Sequence, residues 1–103
     1  MQKTKKEYLC NYLLQQAKID RLNKMSLLNP DLKTKYEQEI QSAKAIRNEI
    51  EDKIARVDGG ILSEVLFQKY ILGRNLEEVG LAINYSKRQT ERMHVAALEK
   101  FKM

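Results

Sequence analysis

From Thr4 to Leu28, apolar residues return every three or four positions. Tyr8, Tyr12, Ile19, Leu22 and Met25 form the stripe, and Leu9 and Leu13 widen it. That period predicts an amphipathic helix. Asn29-Pro30-Asp31 then marks a break and a restart: Asn29 can cap, Pro30 fits a first helical position, and Asp31 suits the positive end of a helix dipole. A second stripe, Tyr36, Ile40, Ala43, Ile46, Ile50, Ile54 and Val57, predicts a helix over residues 30–57. On its outer face Glu49 precedes Lys53 and Asp52 precedes Arg56, acid first and four apart, the favourable order. Two such helices, each about 37 Å long at 1.5 Å per residue, fold back as an antiparallel hairpin when joined by a short turn.

Asp58-Gly59-Gly60 ends this pattern and divides the expected organisation into a hairpin (1–58) and a module of shorter helices (61–103). Ile61 to Leu72 reads as one helix, with Leu62, Val65, Leu66, Lys69-Tyr70 and Leu72 on its apolar face and Gly73 at its end. Asn75 followed by Glu78, and Ser86 followed by Gln89, are two capping-box signatures. They open helices running to Ile83 and from Lys87 to Phe101. The expected fold is therefore all-α: a long helical hairpin followed by a three-helix helix-turn-helix module. In that module Val79, Ile83, Thr90, Met93, Ala97, Leu98 and Phe101 face inward, and Gly80 lies where the last two helices cross. Lys87, Arg88, Glu91, Arg92 and Val95 point outward.

Composition narrows the chemistry. The 103 residues are 43% hydrophobic and 32% charged, a globular balance. No apolar run approaches the roughly 18 residues of a membrane span, and the basic start continues into Glu7 and Tyr8, so neither membrane nor secretory signal is expected. Lys3, Lys5 and Lys6 read as a solvated tail. Cys10, the one cysteine, points to a reducing cytoplasm and to use as a small hydrophobe. One cysteine and one histidine are too few for a four-ligand zinc site, and there is no glycine-rich phosphate loop. Glu77 and Glu78 are consecutive on a cap and do not face each other across a cleft. No catalytic residue, metal or cofactor is therefore expected, and His94 reads as a surface or boundary residue. The net charge of +5 is uneven: residues 1–30 carry +4 and residues 86–103 carry +3. Basic segments at both ends point to a polyanionic partner.

Residues 61–101 resemble region four of bacterial sigma factors. The resemblance rests on Val65-Leu66, Tyr70, the run Gly73-Arg-Asn-Leu-Glu-Glu-Val-Gly80, Ser86 five residues after Leu81, and Ala97-Leu98-Glu-Lys-Phe101. The same module occurs in small phage transcriptional activators of the ArpU and RinA type, whose size and long N-terminal helices are similar to this chain. The resemblance implies binding of double-stranded DNA through Lys87–Arg92. Where sigma factors place Arg-Glu-x-Val-Arg-Gln, this chain has Lys87-Arg88-Gln89-Thr90-Glu91-Arg92. Residues 1–58 also hold no counterpart of the sigma segment that grips polymerase and melts promoter DNA.

The expectation is thus a sequence-specific, phage-type transcriptional regulator. Its DNA-contacting residues are Tyr85, Ser86, Lys87, Arg88, Gln89, Glu91 and Arg92. Arg88 and Arg92 read base edges, while Lys87 and Gln89 position the helix on the backbone. Two long apolar stripes, covered only by residues 61–103, predict a homodimer through residues 1–58 or docking of that hairpin on RNA polymerase. The alternative, kept open by Glu91 among the basic residues, is a protein-binding inhibitor or adaptor of a host protein.

Overall fold

The computed structural model describes residues 4–103; Lys3 of the expected tail lies outside them. The described residues form five α-helices: α1 (Lys5–Leu28), α2 (Lys33–Ala55), α3 (Gly60–Leu66), α4 (Leu76–Ile83) and α5 (Lys87–Lys100). A 3-10 turn (Pro30–Leu32) precedes α2, and a π-turn (Phe67–Ile71) continues α3. No strand occurs among the described residues. Among the described residues no helix is long and apolar enough to cross a membrane.

Thr4 opens α1, its hydroxyl accepting the Glu7 amide at 3.1 Å. Lys5 is not part of a solvated tail: its ammonium donates to the Leu98 carbonyl at 2.7 Å and closes the C-terminal end of α5. Asn29 does not cap the next helix. Its backbone and side-chain nitrogens both donate to the Met25 carbonyl and finish α1 instead. With that side chain committed, Pro30 starts a 3-10 turn, and α2 begins three residues late at Lys33 with no side-chain cap.

α1 and α2 pack antiparallel. Ile19 and Leu22 meet Tyr36, Ile40 and Ala43 at one end, and Leu9 and Tyr12 meet Ile50, Ile54 and Val57 at the other. A polar layer separates the two clusters, where Arg47 Nη1 donates to Gln16 Oε1 at 2.8 Å. Glu49 and Lys53 pair at 2.8 Å, not on the outer face but against α1, where the Tyr8 hydroxyl donates to Glu49 at 3.3 Å and the Tyr8 ring centroid lies 4.8 Å from the Lys53 ammonium; Asp52 and Arg56 form no such pair.

The base of this helix pair shares its core with the C-terminal helices. Leu66, Tyr70, Ala97 and Phe101 join Leu9, Tyr12, Ile50, Ile54 and Val57 in one cluster, so apolar packing crosses the Gly59-Gly60 junction. Gly59 makes that junction with φ of 97°, a region costly for any residue with a Cβ, and Ser63 Oγ donates to the Ile54 carbonyl across it at 3.0 Å. The far end of the helix pair projects away. The radius of gyration is 16.1 Å, against about 13 Å for a compact chain of this length, and the extents are 51 × 28 × 24 Å.

Several apolar positions depart from expectation. Leu13, Ile46 and Leu72 are exposed, and Leu98 is only half-buried at the edge of the shared core; its neighbour Ala97 takes the central place.

Candidate nucleic-acid interface

Both capping boxes form. At α4, Asn75 Oδ1 accepts the Glu78 amide at 2.8 Å while Asn75 N–H donates to Glu78 Oε1 at 3.0 Å. At α5, Ser86 Oγ accepts the Gln89 amide at 3.2 Å while Ser86 N–H donates to Gln89 Oε1 at 3.1 Å. Each box satisfies two donors that the first turn leaves unpaired. Both helices therefore start at fixed residues.

Between them Asn84 adopts the left-handed conformation, φ 65° and ψ 44°, one a short amide side chain tolerates well. Its amide and that of Tyr85 both donate to the Gly80 carbonyl. Gly80 itself is buried, and a Cβ there would lie 2.8 Å from both the Tyr85 carbonyl oxygen and Thr90 Oγ1. The turn closes over Gly80 because no side chain intervenes. Thr90 Oγ1 donates to the Ser86 carbonyl at 2.8 Å, tying the inner face of α5 to the turn.

Thr90, His94, Ala97 and Phe101 form that inner face, all buried, with Val79 buried opposite. His94 is therefore not a surface residue; it lies 2.6 Å from the Tyr70 hydroxyl. Burial first, then Lys69 and Lys6, hold its pKa down at about 4. Its ring is neutral at neutral pH. The step of four from Thr90 and three to Ala97 is the signal that could have assigned His94 to the core.

The expected contact residues divide by role. Lys87, Arg88, Glu91 and Arg92 are exposed on one side of α5, and no hydrogen bond or ion pair ties their side chains to other described residues. Ser86 and Gln89 are exposed as well, but the Ser86 hydroxyl and the Gln89 side-chain carbonyl serve the cap, leaving the Gln89 amide group as a donor. Tyr85 is 43% exposed in the turn. Three cations thus flank the positive end of a 14-residue helix, an arrangement suited to phosphates and to acceptor-rich base edges. Leu81 and Val95, also exposed, add apolar surface to α4 and α5.

Comparison of the chain with protein-family models, curated proteins and solved structures finds no match.

Proposed function

We propose that this chain is a helix-turn-helix regulator that binds double-stranded DNA with α5 in the major groove. The supporting observation is the closure of the turn over Gly80, with both helix starts capped, which presents Lys87, Arg88 and Arg92 together on a fixed helix N-terminus. In this reading Arg88 and Arg92 contact base edges, and Glu91 accepts from a cytosine amino group. Lys87, the Gln89 amide and Tyr85 hold the backbone, and Ser86 fixes the helix start. The reading includes work inside a bacterial cell as a phage-type activator, with α1 and α2 meeting a second copy or RNA polymerase.

Fluorescence anisotropy with a random duplex tests it. Binding at low salt should weaken as salt rises, because counterions are released from the phosphates that the protein neutralises. Absence of binding at low salt favours the protein-binding adaptor instead, for which the exposed Leu81 and Val95 provide apolar contacts beside the charged side chains.

A further inference from the structure

On the side of the molecule where α1 meets the π-turn and the start of α4, a groove of about 540 Å³ opens to solvent. That volume lies in the range of small-molecule sites, about 300–1,000 Å³. Its apolar surface comes from Leu13, Tyr70 and Leu76, and its charge from Lys6, Lys69 and Arg74; among the described residues no carboxylate lines it.

The groove is built, not incidental. The π-turn inserts an extra residue into the helix, a distortion that recurs at functional sites. Here it sets Tyr70 in the groove wall with the Lys69 ammonium 5.6 Å from the ring centroid. Arg74 is held beside it by donating Nη1 to Gln68 Oε1 at 2.7 Å, which leaves its other guanidinium donors available. His94 lines the groove as a buried ring already engaged by Tyr70, and being uncharged it offers neither repulsion nor a counter-ion. Three cations around an apolar wall lack an anion.

We propose that this groove binds a small organic oxyanion, a carboxylate or phosphate monoester carried on an apolar body. The charged end lies among Lys6, Lys69 and Arg74, and the apolar body against Leu13, Tyr70 and Leu76. The site shares no residue with the exposed cations of α5 and does not rest on the DNA-binding reading.

Cys10 supplies the test. It is the only cysteine, it is exposed, and it lines the groove, so its alkylation by iodoacetamide reports occupancy at one place in the full chain. Phenyl phosphate and phenylacetate are the probes. Either one should slow alkylation saturably with a midpoint in the low millimolar range, as expected for about ten heavy atoms. Inorganic phosphate and benzyl alcohol, each carrying half of the chemistry, should need about tenfold more. Lys69→Gln with Arg74→Gln should abolish protection while helicity by circular dichroism stays unchanged, and Lys87→Gln should protect like wild type. Should the double variant lose helicity, Lys6→Gln alone, at an exposed position, must weaken protection severalfold. No slowing by either probe at several times the expected midpoint overturns the proposal. So does equal protection by inorganic phosphate, which means an adventitious anion only, or by benzyl alcohol. Protection by a glutamate-rich peptide alone would assign the groove to a protein partner and overturn it too.

Discussion

Tyr70 in the π-turn and His94 on α5 share a hydrogen bond of 2.6 Å between Oη and Nε2, with both side chains buried. Their rings lie 5.7 Å apart, so the contact joins two helices by polar and by ring contact at once. Burial, with a contribution from Cys10, pushes the Tyr70 hydroxyl up to about 12, so the phenol stays protonated and available across the neutral range.

A pH dependence follows. The folded pKa of His94, about 4, lies below the ordinary histidine value of 6.5. Below pH 6.5 the unfolded chain takes up a proton that the folded chain refuses. Stability from this site is thus complete above 6.5 and is lost as pH falls toward 4, by up to about 3 kcal/mol. Thermal unfolding at pH 7 and pH 5 should show the loss. In His94→Gln, which keeps a side chain able to bond Tyr70, the difference between the two pH values should shrink markedly. An equal drop in both proteins would rule out the assignment.

Gly80 and Gly60 make a matched pair. A Cβ at Gly80 meets a backbone carbonyl and a buried hydroxyl at 2.8 Å, whereas a Cβ at Gly60 meets nothing within 4 Å. Gly80→Ala should lower stability by about 1–3 kcal/mol through forced displacement of the turn. Gly60→Ala should be neutral or stabilising by up to about 1 kcal/mol. Chemical denaturation of the two variants checks the contrast, and equal stabilities would contradict the turn geometry.

The helical content and both capping boxes were legible in the sequence because they depend on local spacing: Ser86 and Gln89, or Asn75 and Glu78, decide their own hydrogen bonds. The outward position of Lys87, Arg88, Glu91 and Arg92 followed from the same periodicity. What was illegible depends on partners distant in sequence. Asn29 has the chemistry of a cap, but the Met25 carbonyl takes its side chain. Lys5 has the composition of a tail around it, but the end of α5 lies within its reach. The spacing of His94 from Thr90 and Ala97 marks it as a core position, but nothing local shows its partner Tyr70, 24 positions earlier. The π-turn leaves no mark on an apolar stripe already rich in tyrosine and leucine. The groove beside it requires α1 to be placed first.

Phe101 and Leu98 should separate a central from a marginal core position. Phe101 is fully buried, with its ring centroid 5.9 Å from that of Tyr8, and Phe101→Ala should cost about 3–5 kcal/mol. Leu98, at the rim, should cost clearly less, about 1–2 kcal/mol. Equilibrium denaturation in urea gives both values. A larger loss at Leu98 would mean that α5 is rotated from the position described.

The hairpin's uncovered apolar residues set an expectation for assembly. Leu27 and Leu28 are about four-fifths exposed at its tip, and Leu14 is 65% exposed along its length. A second copy covering these residues is the proposed arrangement. Light scattering at tens of micromolar should return twice the mass of one chain, and Leu14→Lys with Leu28→Lys should return it to one. A wild-type protein of single-chain mass would leave the hairpin as an arm for another protein.

The DNA-binding proposal turns on whether α5 reads sequence. Duplexes recovered by wild-type protein from a randomised library should converge on a common sequence. Arg88→Ala and Arg92→Ala should each weaken binding to that duplex by about 1–3 kcal/mol, with binding of random DNA much less affected. Both residues are exposed, so neither change should alter the melting temperature. A library that yields no common sequence, or variants that bind the selected duplex as tightly as wild type, would contradict it.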